Sequence, residues 1–264
     1  MKKLVKVLSA LALAAALVGC SDLADEEGDA EIAARAAASN KVTYTMASEI
    51  SRLVYEGYNE GKNGPIIITK GVLKSGWTSK NVYLITLSGT EIIKNQTTGY
   101  LTDLKSGFNL KNAYLDNVVS IVTKNIPKNS NLVFAGHSLG GMICQQVVAN
   151  DTIKKNYNVL NTVCFGSPLL SAGDREGTVQ RLGDTSDIVP YLSGSLFNNT
   201  LWAIAGLNRE DGGYGTDFAN AHQSYIRDDE WGKYDVVGKK YGGARITLDL
   251  NTKTFYKSKV WFQK

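Results

Sequence analysis

The fold is decided by one stretch near the middle of the chain, Leu132-Val133-Phe134-Ala135-Gly136-His137-Ser138-Leu139-Gly140-Gly141. Its first four residues are apolar, which is typical of a short buried strand, and a helical run to Val148 follows the glycines. Between them lies a Gly-x-Ser-x-Gly pattern, whose glycines let the strand and the helix approach without a clash of Cβ atoms. The stretch therefore predicts a sharp turn that presents the Ser138 hydroxyl at the carboxyl end of the strand. The alternative is a glycine-rich turn with a passive serine.

Strands and helices alternate on both sides of this turn. Apolar runs predict strands at Ile66–Ile68, Val82–Leu87, Leu132–Ala135 and Val159–Phe165, with a strand-like stretch at Thr178–Leu182. Helical spacing of apolar residues predicts helices over Tyr44–Gly61 and Ala113–Ile126. This alternation indicates an α/β fold in which a mostly parallel sheet is flanked by helices. Residues 244–260 alternate in hydrophobicity and predict a C-terminal β-hairpin, and no linker divides the stretch 41–264, which is expected to be a single domain.

A serine at such a turn becomes a nucleophile when a base takes its proton. The chain has two histidines, and neighbouring side chains on the turn point apart, so His222 rather than His137 is the candidate base. Loops that follow strands carry the acids that orient such a base, which favours Asp187 because it follows a strand-like stretch. Asp184 is the competing candidate, and its other interpretation is a turn former.

Five short segments extend this pattern in one order along the chain. They are Ser88-Gly89-Thr90, Gly136–Gly141, Phe165-Gly166-Ser167-Pro168, Asp187–Pro190, and His222 with Tyr225. Together they resemble the class 3 lipases, the fungal-lipase-like branch of the α/β-hydrolases. One position departs from that family, because Ser88 stands where the family usually has arginine. The first 40 residues and the stretch 244–260 lie outside the resemblance.

The resemblance implies an α/β-hydrolase fold and a serine carboxylic ester hydrolase, of the lipase or esterase kind, that acts on acylglycerol-like or other lipid esters. It implies that Ser138 is the nucleophile, that His222 is the base and that Asp187 orients it. The N–H groups of Leu139 and Thr90 are expected to form the oxyanion hole. No metal, organic cofactor or protein partner is implied. The alternatives are a phospholipase or acyltransferase with the same residues, or a non-catalytic surface-binding lipoprotein.

The N-terminus resembles the leader of a bacterial lipoprotein. Its parts are basic Met1–Lys6, apolar Val7–Val18, and Leu17-Val18-Gly19-Cys20, which resembles a lipobox. We therefore expect residues 1–19 to be a signal peptide, Cys20 to be lipidated, and residues 20–40 to be an acidic, flexible tether. This predicts an exported protein anchored in a membrane through Cys20, the outer membrane if the host has one, because Ser21 rather than an aspartate follows. An ordinary signal peptide with an incidental cysteine is the alternative.

Charge and composition exclude several function classes. The 29 Lys and Arg residues outnumber the 25 Asp and Glu residues, but these charges are scattered along the chain. Nucleic-acid binding is therefore not expected, whereas weak attraction to anionic lipid is. Two histidines and the lack of a Cys-x-x-Cys pattern argue against a zinc site. Cys144 and Cys164 lie in apolar runs and are expected to be buried thiols, although an exported protein permits their pairing.

Overall fold

A sheet with nine strands among the described residues is the centre of the fold. The computed structural model describes residues 40–58, 63–89, 113–169, 174–191 and 206–258. The predicted signal peptide, the tether up to residue 39, Cys20 and Thr90 lie outside these ranges. The strands are β1 (Lys41–Tyr44), β2 (Ile66–Ser75), β3 (Thr78–Leu87), β4 (Asn131–His137), β5 (Asn158–Phe165), β6 (Thr178–Asp184), β7 (Leu207–Glu210), β8 (Arg245–Asp249) and β9 (Thr254–Tyr256).

The described helices are short apart from one. They are α1 (Ala47–Tyr55), α2 (residues 113–125), α3 (Leu139–Val147), α4 (Asp151–Asn156), α5 (Phe218–His222) and α6 (Asp228–Trp231). The start of α1 is fixed by Glu49, whose Oε2 accepts hydrogen bonds from the N–H groups of Thr45 and Met46 at 2.7 and 2.9 Å. The end of α2 lies just before Pro127, which cannot continue a helix.

The sheet is mixed, with the order β1-β8-β2-β3-β4-β5-β6-β7 and with β9 paired to β2. Neighbours from β3 to β7 are parallel, whereas β2 pairs antiparallel with β3, β8 and β9, and β1 pairs antiparallel with β8. The prediction of helices around a central sheet is confirmed, but the prediction of a mostly parallel sheet is wrong. Four of the strand pairs are antiparallel, and three of them involve β2. Lys74 and Lys80 on the outer half of the β2–β3 hairpin concealed the length of both strands from an apolar-run criterion.

The C-terminal strands do not form the hairpin predicted for residues 244–260. Both β8 and β9 pair antiparallel with β2, so they run in the same direction along one side of it. Between them the chain makes the 3₁₀ turn Leu250–Thr252, and the Thr252 hydroxyl accepts the N–H of Lys70 at 2.9 Å. The Thr252 hydroxyl thus replaces a backbone partner for the Lys70 N–H, at the point of β2 between its pairings with β8 and β9. The period-two pattern correctly predicted two strands. It could not show whether they pair with each other as a hairpin or, as found, both pair with β2.

Apolar side chains cover the sheet on both faces. On one face α2 and α3 pack against the central strands, with Phe134 and Ile143 fully buried. On the other face α1 packs with Trp231 and Tyr225, both fully buried. Continuous burial of β4 follows from this arrangement, since a central parallel strand has no face toward water. The turn after β4 is therefore held by packed layers on both sides.

Candidate active site

Ser138 occupies a strained turn between β4 and α3. Its φ is 55° and its ψ is −124°, a combination that L-residues rarely adopt. The Ser138 N–H donates to the carbonyl of Phe165 at 2.9 Å, which ties the turn to the end of β5. Such strain persists only where the surroundings determine the backbone completely, and it occurs preferentially at functional sites.

The two glycines of the Gly-x-Ser-x-Gly pattern have no room for a side chain. A Cβ atom on Gly136 would lie 2.6 Å from the carbonyl carbon of Gly140, and a Cβ on Gly140 would overlap the carbonyl oxygen of Leu87. The absence of Cβ atoms therefore lets β4, α3 and the end of β3 approach one another. This is the physical role that the sequence pattern predicted.

His222 is the last residue of α5 and is joined to Asp187 by a buried hydrogen bond. Its Nδ1 lies 2.8 Å from Asp187 Oδ2, and both side chains are fully buried. Since a carboxylate only accepts hydrogen bonds, Nδ1 carries a proton, and in the neutral imidazole Nε2 is therefore the ring nitrogen with a lone pair. This tautomer is the one that a general base beside a serine requires.

Asp187 is held by two further donors. The Tyr225 hydroxyl donates to Oδ2 at 2.7 Å, and the Val189 N–H donates to Oδ1 at 2.9 Å. The Tyr225 hydroxyl in turn accepts the N–H of Asp184 at 3.2 Å. Burial, reinforced by Asp187, raises the pKa of Tyr225 well above its ordinary value, so this hydroxyl keeps its proton and remains a donor.

Ser138 and His222 lie in the same corner of the molecule. The ring of His137, next to Ser138 in the chain, packs against the His222 ring at a tilt of 44°, with centroids 4.5 Å apart. A Cβ on Gly166, which follows Phe165, would lie 3.0 Å from His222 Nδ1. Ser138 Oγ is buried and makes no hydrogen bond to the described residues. A hydrogen bond between a nucleophile and its base often tightens only when substrate is present.

The start of α3 follows Ser138 directly in the chain. Leu139 is the first residue of α3, so its N–H has no acceptor within the helix. The end of β3 approaches from the other side, because a Cβ on Gly89 would lie 2.9 Å from Ser138 Cβ. Thr90 follows Gly89 and lies outside the described residues, so its assignment to the oxyanion hole stays a prediction.

His137 links the two sides of the site. Its Nε2–H donates to the backbone carbonyl of His222 at 2.8 Å, and its Nδ1 accepts from the Tyr58 hydroxyl at 2.7 Å. The Tyr58 hydroxyl accepts the N–H of Gly89, also at 2.7 Å. Burial, followed by the proximity of His222, lowers the pKa of His137 well below its ordinary value and keeps it neutral. His137 is thus not placed as a base, and sequence reasoning gave no sign of its link to Tyr58.

Asp184 has a different set of partners from Asp187. Its Oδ1 accepts the Ser186 N–H at 2.6 Å and its Oδ2 accepts the Gly212 N–H at 2.8 Å. It also lies against the buried carboxyl of Glu230. Burial, with a hydrogen bond to Asp184 as the next cause, raises the pKa of Glu230 to about 8. Asp184 therefore shapes the loop that carries Asp187, in keeping with its interpretation as a turn former.

A buried arginine also supports this loop. Arg181 lies in β6 and is only 2% exposed, and its guanidinium donates to the carbonyls of Ser167 and Pro190 at 3.0 and 2.6 Å. Burial lowers the pKa of Arg181 to about 10. Arg181 thus joins the loop after β5, which contains Gly166, to the loop after β6, which contains Asp187. Both of these residues lie next to the His222 ring. The sequence did not indicate this buried role of Arg181, since arginine residues are mostly exposed.

The remaining expectations about cysteines, metals and membrane spans concern the described residues. Cys144 and Cys164 are free, buried thiols, and burial raises the pKa of both, to about 11 for Cys164. Within the described ranges, no cluster of three or more His, Cys, Asp or Glu side chains could hold a metal ion. In the same part of the chain, no helix has the length and apolar character needed to cross a bilayer.

The comparisons with known proteins add little to this geometry. No protein-family model matches the chain, and no curated protein matches it. Among solved structures it is similar to a crystal structure of M37 lipase, with 13% identity, a TM-score of 0.29, and coverage of 70% of this chain and 76% of that chain. A likeness at this TM-score carries no argument. The function of the chain therefore has to be argued from the site itself.

Replacement of Glu230 by glutamine tests the carboxyl pair behind the site. Because the pKa of Glu230 is about 8 in the folded state, above its ordinary value, the fold retains a proton that the unfolded chain loses. Stability is therefore lost as the pH rises from about 5 to about 8. The variant Glu230→Gln keeps a neutral hydrogen-bond donor at every pH. We expect its melting temperature to match wild type near pH 5 and to exceed it near pH 9.

The control for this experiment is Asp116→Asn, a change of an exposed carboxylate on α2. It should leave the pH dependence of melting unaltered. If Glu230→Gln changes the melting temperature equally at both pH values, the claim that Glu230 holds a proton beside Asp184 is wrong.

Proposed function

We propose that the chain is a serine hydrolase that cleaves carboxylic esters through an acyl intermediate on Ser138. The observation that carries this proposal is the buried hydrogen bond between His222 Nδ1 and Asp187 Oδ2, beside a serine in a strained turn. This geometry supports an arrangement in which a carboxylate orients a neutral imidazole toward a hydroxyl. No metal or organic cofactor takes part in the proposed reaction.

The first half of the reaction transfers the acyl group to the enzyme. His222 Nε2 takes the proton of the Ser138 hydroxyl while Oγ attacks the ester carbonyl carbon. The tetrahedral intermediate collapses as the C–O bond to the alcohol breaks, and the imidazolium returns its proton to the leaving alcohol. Asp187 stabilises the imidazolium during this step, since its two oxygens already accept hydrogen bonds from three fixed donors.

The second half releases the acid. Water gives a proton to His222 Nε2 and attacks the acyl carbon, and the Ser138 oxygen leaves with that proton. The negative charge of both intermediates would be held by the Leu139 N–H and, by the resemblance stated above, by Thr90. Each such donor is worth about 3–4 kcal/mol of transition-state stabilisation. The network from His137 through Tyr58 to Gly89 fixes the segment that leads to Thr90.

The proposed substrates are acylglycerol-like or other lipid esters. This class comes from the resemblance to class 3 lipases, and the proposed acylated Cys20 would keep the enzyme near a membrane. A non-catalytic lipoprotein is the weaker alternative, because a binding protein has no physical need for a strained Ser138. The cost of such a backbone, about 1–3 kcal/mol, is retained where reactivity requires it.

Hydrolysis of p-nitrophenyl esters of increasing chain length tests the proposal. We expect the wild-type chain to hydrolyse them with saturation kinetics, and Ser138→Ala to lower kcat by a factor on the order of 10⁶. The control is Ser79→Ala, an exposed serine on the outer half of β3 that should leave kcat unchanged. Full activity in Ser138→Ala, or no activity in wild type on any ester of the series, would contradict the proposal.

A comparison of two aspartates tests the orientation of His222. In Asp187→Asn the amide can no longer accept the Nδ1–H in the same way, so the imidazole takes the wrong tautomer and kcat should fall about 10⁴-fold. In Asp184→Asn the loop loses a carboxylate that accepts the N–H groups of Ser186 and Gly212 and lies against Glu230, so the melting temperature should fall while kcat stays within about tenfold of wild type. The opposite ranking of the two kcat values would assign the orienting role to Asp184.

A further inference from the structure

The tip of the β2–β3 hairpin presents a tryptophan to water. Trp77 is fully exposed, with a relative accessibility of 103%, and it sits in the two-residue turn between Ser75 and Thr78. The hairpin projects beyond the parallel part of the sheet, because β3 pairs with β4 only from Val82 onward. A large ring with one polar N–H thus lies at the end of the hairpin, where nothing in the described chain covers it.

Four cations surround this apex, although they are far apart in the sequence. Lys74, Lys239 and Arg245 line a cavity of about 610 Å³, and Lys80 and Lys239 line an adjoining cavity of about 310 Å³. Lys74 and Arg245 are also direct partners in the register of β2 and β8. The fold therefore gathers charges that the sequence shows as scattered. These four cations and Trp77 are here named the hairpin-tip patch.

The positive charges of the hairpin-tip patch outnumber the negative charge near them within the described part of the chain. No ion pair involves any of its four cations there, whereas Lys233 and Lys253 each pair with a glutamate. Asp235 lines the larger cavity and offsets one of the four positive charges, and its carboxylate also accepts hydrogen bonds from the N–H groups of three residues. Those residues are Val237, Lys239 and Ala244. The patch is therefore a site of net positive charge with an aromatic apex.

We propose that the hairpin-tip patch docks on the surface of an anionic phospholipid bilayer. Tryptophan favours the membrane–water interface because its ring is apolar and its N–H is polar. Lysine and arginine at the same level are attracted to lipid phosphates, and the two signals together give reversible binding. A soluble polyanion is the less favourable occupant. It would lie against the cations in the cavities and leave Trp77 in water.

Docking in this way sets the orientation of the candidate active site. Ser138 follows the carboxyl end of β4, while Trp77 precedes the amino end of β3, the parallel neighbour of β4. The ten residues of β3 span about 33 Å between the two ends of the sheet. The corner with Ser138 would therefore face away from the docked bilayer. If the proposed function holds, esters would reach Ser138 from the solution side.

Quenching of Trp77 by brominated lipid tests the docking in the full-length chain. Vesicles that contain brominated phosphatidylglycerol should quench wild-type emission about twofold more than that of Trp77→Phe, because Trp77 enters the interface. Brominated phosphatidylcholine alone should remove this difference. The subtraction of Trp77→Phe isolates Trp77 from the other tryptophans and from any binding through the N-terminal segment.

Two double variants distinguish an effect of the hairpin-tip patch from an effect of the overall net charge. Lys74→Glu with Lys239→Glu should abolish the Trp77-dependent quenching. The matched control Lys41→Glu with Arg209→Glu carries the same change in net charge on β1 and β7, whose residues 41 and 209 are exposed, and should retain it. Ester hydrolysis, measured in parallel, should be the same in wild type and in all three variants.

Three outcomes would overturn the docking proposal. One is equal quenching of wild type and Trp77→Phe by brominated phosphatidylglycerol. Another is an equal loss in both double variants, which would show a response to net charge alone. The third is a change in Trp77 emission with soluble polyphosphate but no quenching by brominated lipid, which would assign the patch to a soluble polyanion. Because ester hydrolysis is scored separately, failure of the docking and failure of the proposed function are distinguishable.

Discussion

The close approach of β4 to α3 across Gly136 and Gly140 is the constraint on which the rest of the site depends. With no Cβ atoms between them, the strand and the helix meet at a distance that forces Ser138 to a φ of 55°. Fully buried side chains on both faces of the sheet prevent this turn from relaxing. The serine is thus placed by backbone packing, and the polar groups around it are arranged against a fixed point.

Those polar groups form a scaffold in which nearly every buried charge has a defined partner. Asp187 accepts hydrogen bonds from His222, Tyr225 and Val189, and Arg181 joins the neighbouring loops through two carbonyls. Glu230 avoids a second buried charge beside Asp184 by holding its proton, with a pKa of about 8. The arrangement leaves one buried carboxylate directed at the imidazole. This is the electrostatic condition that the proposed role of His222 as a base requires, since such a base becomes positively charged in the transition state.

The sequence predicted the features that local patterns encode. The strands on either side of Ser138, the helix over 113–125 and the glycine-dependent turn all follow from apolar periodicity and from a pattern with a steric reason. The full β2–β3 hairpin and the parallel course of β8 and β9 beside β2 did not, because strand direction and pairing depend on distant neighbours. In the site, the partners of His137 and the loops joined by Arg181 come from elements far apart in sequence, and neither residue has a local signature. The hairpin-tip cations illustrate the same limit, since only the register of β2 with β8 brings Lys74 beside Arg245.

The central claim is that Ser138 is the residue that forms the acyl intermediate, and a covalent probe measures this directly. A fluorophosphonate reacts irreversibly with serines that a neighbouring base activates, and the mass of each labelled peptide locates the adduct. The account predicts one phosphonyl group per chain, on the peptide that contains Ser138, and no adduct after His222→Ala. Stoichiometric labelling of a different serine, or labelling of Ser138 that persists unchanged without His222, would contradict it.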